Sequence, residues 1–481
     1  MPVDELCRLS AIDAARLIAR KQLSPVELTE AVLTRADRLQ NRLNCFITLC
    51  SEQAMQAARA AEQDVMHSKP LGLLHGVPFS VKDLVDTAGV RTTYGVLPFR
   101  DNVPTKNAVV IDRLIAQGGI MIGKTTTPEF GSQCITRSPL FGNTPNAWDQ
   151  RRSAGGSSGG AAVAVASGIG ALAVATDGGG STRIPAACNG VVGFKQSLGV
   201  IPHSQAMDGY GNQTYVTPTS RTVEDTALML QSMAGAHACD PWSMIGGNAP
   251  VNYLDVVRNP DTLAGKTIRY CLQPPGKRVS ADVEAAFHAA LERLKELGAR
   301  LEPFDGANFD VESTWRTVNH TVWRTRFSQL VKDRRSEFSD TFIRQIESAS
   351  AFSAEDYQQA MFQRTTLFRR VEALLHGAVA LITPTIMRTA LPVDQDLFQP
   401  IDIDGVSFDD IRTNFFPWTM PFNMTGHPAV SMPAGFGRDG LPTAVQFVGS
   451  LGNDAELLRV ASAFERATAL HRLWPEDANH T

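Results

Sequence analysis

The chain has 481 residues, 43% hydrophobic and 20% charged, which predicts a large buried core and excludes a disordered protein. Its net charge of −4, from 45 Lys and Arg against 49 Asp and Glu, gives no electrostatic reason to expect nucleic acid or an anionic membrane as partner. Seven scattered cysteines without a C-x-x-C pair read as reduced thiols of a cytoplasmic protein, and no uncharged apolar run reaches the ~20 residues of a membrane span.

The opening MPVDELCRLSAIDAARL carries early acids and no apolar h-region, so no signal peptide is expected. Ser24-Pro25-Val26-Glu27 matches a capping box with Pro at the first helical position, predicting a helix to about Leu39. A second helix is predicted from Ser51 to about Val65. Val77 to Val81 then reads as a short apolar strand ending at Lys82, residues 107–117 as a helix and 120–123 as another strand. Helices alternating with brief apolar strands predict an α/β protein whose sheet is covered by helices on both faces.

Gly118–Thr125 formally fits G-x-x-x-x-G-K-[ST], the phosphate-binding loop. Its interior is Ile-Met-Ile and it continues into Thr-Thr-Thr-Pro128 rather than a helix, so a core strand is the better reading. Residues 151–195 are rich in Gly, Ala and Ser. A flexible linker has that composition too, but AAVAVA and ALAVA inside the segment are too apolar for solvated chain. Gly155–Gly159 fits the G-x-S-x-G elbow, yet the polar DQRRSAGG before it is no strand.

Residues 281–375 read as mostly helical. ALITPT and TAVQFVGS read as strands and DAELLRVASAFERATALH as a last helix. No internal repeat or Pro-rich linker divides the chain. One domain over 1–481 is expected, with core motifs at 72–195, a helical region at about 281–375 and a closing sheet and helix at 376–472.

Three pieces describe a chemistry that needs no histidine. Lys82 ends an apolar strand. Ser157, 75 residues on, sits in GGSSGG before an Ala-rich helix. Ser181, 24 residues further, follows Asp177-Gly178-Gly179-Gly180 beyond the strand ALAVA. A tetrahedral intermediate needs backbone N–H donors at its oxyanion, and Gly178, Gly179, Gly180 and Ser181 are the candidate hole.

The strings LLHGVPFSVKDL, AGGSSGG and TDGGGSTRIPA resemble the three core motifs of the amidase signature family. The flanks GKTTTPEFG, GIGALAVA, CNGVVGFK, FNMTGHPAVSMPAGF and GLPTAVQFVG follow in the same order, so the resemblance covers roughly residues 10 to 470. It implies a single large domain with a central mixed, twisted β-sheet. It also implies hydrolysis of a carbon–nitrogen bond, with Ser181 as nucleophile, Ser157 as proton relay and a neutral Lys82 as base, and with no cofactor or metal. An exposed lysine has a pKa near ~10.4, so burial must lower that of Lys82, and Asp83 must face elsewhere. The resemblance further implies a cis Gly156–Ser157 peptide and supporting roles for Ser158, Asp177 and Arg183, with Arg183 free to pair with Asp177. Ala444 stands where the family often has glycine. Cys188 reads as a packed thiol without a basic activator.

Segments 134–141, 203–217, 315–327 and 386–417 are the expected substrate-facing loops. Their Met207, Tyr210, Tyr215, Trp315, Trp323, Phe415, Phe416 and Trp418 suit an apolar or aromatic substrate. The expected partner is a small-molecule amide, as anilide or carbamate, acted on by a monomer or homodimer. The alternative within the resemblance is an amidotransferase-type subunit that works only in a complex.

Overall fold

The computed structural model describes residues 1–245, 251–258 and 263–475. Its centre is an eleven-stranded sheet. The strands are β1 (Phe46–Leu49), β2 (Pro78–Lys82), β3 (Ile120–Thr125), β4 (Leu172–Asp177), β5 (Val192–Lys195), β6 (Tyr215–Ser220), β7 (Thr267–Tyr270), β8 (Arg300–Pro303), β9 (Ala380–Pro384), β10 (Ala429–Phe436) and β11 (Pro442–Val448). Their order is β1-β3-β2-β4-β6-β5-β10-β11-β9-β7-β8. The sheet is mixed: β3, β2 and β4 run parallel, as do β9, β7 and β8, and the strands between pair antiparallel. Helices complete a single large α/β domain.

Several elements follow directly from their residues. Ser24 accepts from the N–H groups of Val26 and Glu27, and the helix runs Pro25–Leu43. The capping box is only half formed, because Glu27 turns to the terminal amino group at 3.4 Å. The helix Gly159–Ala166 is buried throughout and packs on β2, β4 and β6. A Cβ on Gly159 would lie 2.4 Å from Thr136 Oγ1, and one on Gly160 would lie 2.4 Å from Thr126 Oγ1. Small residues here allow close approach of backbones, and the segment is core rather than linker.

The phosphate-loop look-alike is β3, which continues through Lys124 to Thr125. Lys124 is buried and donates to the Val85 carbonyl and to Thr92 Oγ1 at 3.0 Å. The predicted helix at 107–117 is shorter, Val109–Ala116. The stretch 315–327, named a substrate-facing loop within a region read as mostly helical, lies inside a 22-residue helix, Glu312–Asp333. Among the described residues no helix is long and apolar enough to cross a membrane.

β2 and β4 are neighbours in parallel register, with Val81 opposite Val174. Lys82 ends one and Asp177 the other, so both deliver their polar residues to the same carboxyl edge of the sheet. Crevices outside the carboxyl ends of parallel strands are where open α/β sheets bind ligands.

Candidate active site

Lys82 is fully buried. Its Nζ lies 2.7 Å from Ser157 Oγ, 2.8 Å from Ser158 Oγ and 2.9 Å from Thr176 Oγ1. Burial pushes its pKa well below the ordinary lysine range, opposed by the Asp177 charge. The Ser158 hydroxyl donates to the Thr176 carbonyl at 3.1 Å, so its oxygen is free to accept from Lys82. A neutral amine has two N–H bonds and one lone pair. Donation to Ser158 and Thr176 leaves the lone pair for the Ser157 hydroxyl.

Asp83 faces the other way, as strand alternation requires. Its Oδ2 accepts from Thr93 N at 3.0 Å and from the Thr93 hydroxyl. Burial pushes it up to about 6, and the nearby charge is that of Lys124. The adjacent acid therefore does not hold Lys82 in its charged form.

The Gly156–Ser157 peptide is cis. A Cβ on Gly156 would lie 2.7 Å from the Cys134 carbonyl carbon. Ser158 N donates to the Ser181 carbonyl at 3.0 Å, which ties the two glycine-rich segments together. Ser181 is half-buried and lines the same cavity as Ser157, Thr176, Gly178 and Gly179.

The glycine loop is held from outside. The Trp315 indole donates to the Gly178 carbonyl at 2.8 Å, and Thr419 Oγ1 donates to the Gly179 carbonyl at 2.6 Å. In a trans peptide the next N–H points opposite its carbonyl, so these contacts set where the loop's donors aim. Gly180 has φ +122°, and a Cβ there would meet Thr419 Oγ1 at 2.4 Å. Its N–H donates to Asp177 Oδ1 at 2.7 Å. Of the four loop amides named from the sequence, that of Gly180 is thus engaged inside the protein. Nothing in the string Asp-Gly-Gly-Gly-Ser distinguishes it from its neighbours.

Asp177 and Arg183 form a buried pair, with Nη2–Oδ1 at 2.9 Å and Nε–Oδ2 at 3.0 Å. Arg183 also donates to Gln446 Oε1 at 2.6 Å and to the Thr419 carbonyl at 2.9 Å, and Asn423 Nδ2 donates to Asp177 Oδ1 at 2.9 Å. Burial alone would raise the Asp177 carboxyl, but the Arg183 charge and these hydrogen bonds hold it well below the usual carboxylate range. The pair fixes the loop from below and joins it to β11. Thr176, Thr419 and Asn423 were not singled out from the sequence. For Thr176 the signal was its place next to Asp177 at the strand end.

The cavity above Ser181 has a volume of about 620 Å³. One wall is a face of the helix Glu312–Asp333, where Trp315, Val318, Asn319, Val322, Trp323, Arg326 and Phe327 recur at helical spacing. Tyr94, Phe99, Phe130 and Phe416 add aromatic surface. Of the residues expected to face substrate, Met207, Trp315, Trp323 and Phe416 line it. Tyr210 is 80% exposed, whereas Tyr215, Phe415 and Trp418 are packed in the core. Cys188 is buried and its thiol is raised by desolvation. Among the described residues no group of three or more His, Cys, Asp or Glu gathers where it could hold a metal ion.

Comparison with known proteins gives a consistent neighbourhood. The model of the Amidase family matches residues 27–458. An acylamidase of Rhodococcus erythropolis is 36% identical over 461 residues, 95% of each chain. A glutamyl-tRNA(Gln) amidotransferase subunit from Cyanothece sp. is 30% identical, covering 95% of this chain and 98% of that one. Among solved structures, a bacterial aryl acylamidase of the amidase signature family superposes with a TM-score of 0.87 at 27% identity, over 96% of this chain and 97% of that one.

Proposed function

The chain belongs to the amidase signature family and is an amide hydrolase, and on that premise we propose that it cleaves acyl amides through a seryl acyl-enzyme formed on Ser181. The observation that carries this reading is the 2.7 Å approach of a desolvated Lys82 amine to Ser157 at the cavity floor.

Ser181 Oγ attacks the amide carbon and passes its proton to Ser157, whose own proton goes to the Lys82 lone pair. As the carbon–nitrogen bond breaks, the Lys82 proton returns through Ser157 to the departing nitrogen, which leaves as an amine rather than as a poor amide anion. Water then attacks the acyl carbon and gives its proton to the same relay, which returns one to Ser181 Oγ as the acyl–oxygen bond breaks and the acid leaves. The oxyanion is assigned to the N–H groups of Gly178, Gly179 and Ser181, since Gly180 is committed to Asp177. One such donor typically lowers the barrier by ~2.7–4 kcal/mol. Ser158 and Thr176 hold Lys82, and the Asp177–Arg183 pair holds the loop.

The aromatic walls and the acylamidase relative support aryl or alkyl amides as substrates, with carbamates accessible to the same machinery. The test is direct. A phosphonate or slow acyl probe should label Ser181, and Ser181→Ala should abolish labelling. Lys82→Ala and Ser157→Ala should fold normally and lose most activity. A stable adduct on Ser157 or a cysteine would overturn the assignment. The second reading, an amidotransferase-type component of a complex, is supported by the relatives of that kind. It expects no hydrolysis of aryl amides by the purified chain alone.

A further inference from the structure

Five acidic, basic or imidazole side chains line the cavity: Asp86, His203, Asp208, Arg326 and Arg412. Three of them are engaged inside the protein. Asp86 accepts from the Tyr94 hydroxyl at 2.7 Å, and Asp208 Oδ1 accepts from the N–H groups of Tyr210 and Gly211 at 3.1 and 2.8 Å. Arg412 donates to Gln345 Oε1 at 2.6 Å and lies 3.9 Å from the Glu312 carboxylate. Arg326 is placed differently. Among the described residues it makes no hydrogen bond and no ion pair, and its guanidinium stands over the Phe327 ring with Cζ 4.8 Å from the centroid.

Arg326 is exposed and lines the cavity, so a solute there can reach it. Neighbouring side chains still remove part of its hydration and lower its pKa, and the charge that bears on it is that of the Tyr94 phenol rather than a carboxylate. Arginine stays charged under such a shift, and its planar fork of donors matches a carboxylate. His203 is its neighbour. Burial holds the imidazole down at about 4, with Asp240 opposing and the Arg326 charge adding to the effect. The neutral ring accepts from Gln205 N at Nδ1, 3.4 Å away, which leaves the ring proton on Nε2. That N–H has no partner among the described residues. Two donors without acceptors therefore share one end of the cavity.

That end is far from the catalytic floor. Trp315 holds the glycine loop through the Gly178 carbonyl, and Arg326 follows eleven positions later on the cavity face of the same helix. At 1.5 Å per residue this is ~16 Å further along the helix axis. We infer that Arg326, with His203, forms a carboxylate subsite at the far end of the cavity, selecting amides whose acid group lies a long chain away from the bond that is cut. This rests on the amidase reading above and adds the substrate class: long-chain carboxy-amides rather than their hydrocarbon counterparts. Between the two ends the helix presents Val318, Val322, Trp323 and Phe327 to the cavity, which suits an apolar chain linking amide and acid.

Matched pairs of substrates test it with the full-length enzyme. Suberic mono-p-nitroanilide against octanoyl p-nitroanilide places the acid on the acyl side. N-benzoyl-8-aminooctanoate against N-octylbenzamide, followed by benzoate release, places it on the amine side. Succinic mono-p-nitroanilide against butanoyl p-nitroanilide, and N-benzoylglycine against N-ethylbenzamide, are the short controls. In one long pair Arg326→Gln should cut the ratio of kcat/KM, acid over hydrocarbon, by tenfold or more. Arg326→Lys, which keeps the charge without the fork, should restore part of it. In the short pairs the ratio should change by less than twofold. A ratio that Arg326→Gln leaves unchanged in both long pairs, or a fall equally large in the short ones, would overturn the subsite and leave the amidase reading standing. No turnover of any of the eight compounds would remove both.

Discussion

At the scale of single residues, the proposed chemistry turns on keeping one amine neutral. Three hydroxyls surround Lys82 Nζ, and Thr176 is the one whose loss can be read cleanly, since valine keeps its shape. Hydroxyl oxygens stabilise the ammonium more than the amine. A hydrogen bond to a charged group contributes ~1.5–3 kcal/mol, and 1.36 kcal/mol is one pKa unit. Thr176→Val should therefore move the acid limb of the kcat/KM profile to lower pH by about one unit, because Lys82 loses its proton more readily. The plateau should fall too, since the amine is less well aimed at Ser157. An acid limb that stays in place or moves to higher pH would show that Lys82 is not the group titrating. For wild type the proposed base sets the expected sign: activity should rise with pH as Lys82 deprotonates, and its burial places that rise below the ordinary lysine range.

At the scale of elements, the wall of the cavity and the glycine loop proposed to hold the oxyanion are mechanically joined. The helix Glu312–Asp333 presents Trp315 to the cavity, and the same indole donates to the Gly178 carbonyl while lying under Gly179. Trp315→Phe keeps most of the ring and removes the donor. It should lower kcat by about tenfold, a part of what a direct oxyanion donor contributes, with KM changing less than kcat. A change confined to KM would make Trp315 a substrate contact only.

This helix also shows what was legible in the sequence. The three catalytic strings are local, each needing only its own residues, and so could be read directly. From the sequence, residues 315–327 read as a substrate-facing loop for their Trp315 and Trp323, although the whole stretch 281–375 reads as mostly helical. In the fold that stretch is helix, with Trp315, Val318, Val322, Trp323 and Phe327 on its cavity face and the helices Asp340–Ser348 and Ala354–Leu375 packed against it. The strands β7 and β8 escaped notice for their composition. TIRY and RLEP mix charge into four residues at one end of the sheet, where little apolar surface is demanded. The Gly180 amide, spent on Asp177, depends on a φ angle that no composition reveals.

At the scale of the whole molecule, the proposed mechanism and two desolvated acids together predict that activity and stability respond to pH in opposite directions. Away from the cavity, the last helix, Asp454–Thr468, sets the half-buried Glu465 against the start of the helix Val223–Met233, where Oε1 accepts from Val223 N at 2.9 Å. Asp225, nearby, accepts from Ile12 N at 3.1 Å. Burial pushes Glu465 up to about 8 and Asp225 up to about 7, and each carboxylate would repel the other were both charged. Both folded-state pKa values lie above those of the unfolded chain, near ~4, so the folded protein binds more protons. That contribution is fully present below about pH 4 and is lost as pH rises through 7 and 8.

The melting temperature should therefore fall between pH 5 and 9 while initial rates at 25 °C rise over the same range. Glu465→Gln keeps the carbonyl that accepts from Val223 and removes the ionisation. It should make the decline of the melting temperature with pH shallower, Asp225 still titrating, without moving the rate profile. A wild-type melting temperature that is level across this range, or a decline that persists unchanged in the glutamine variant, would place the titrating groups elsewhere.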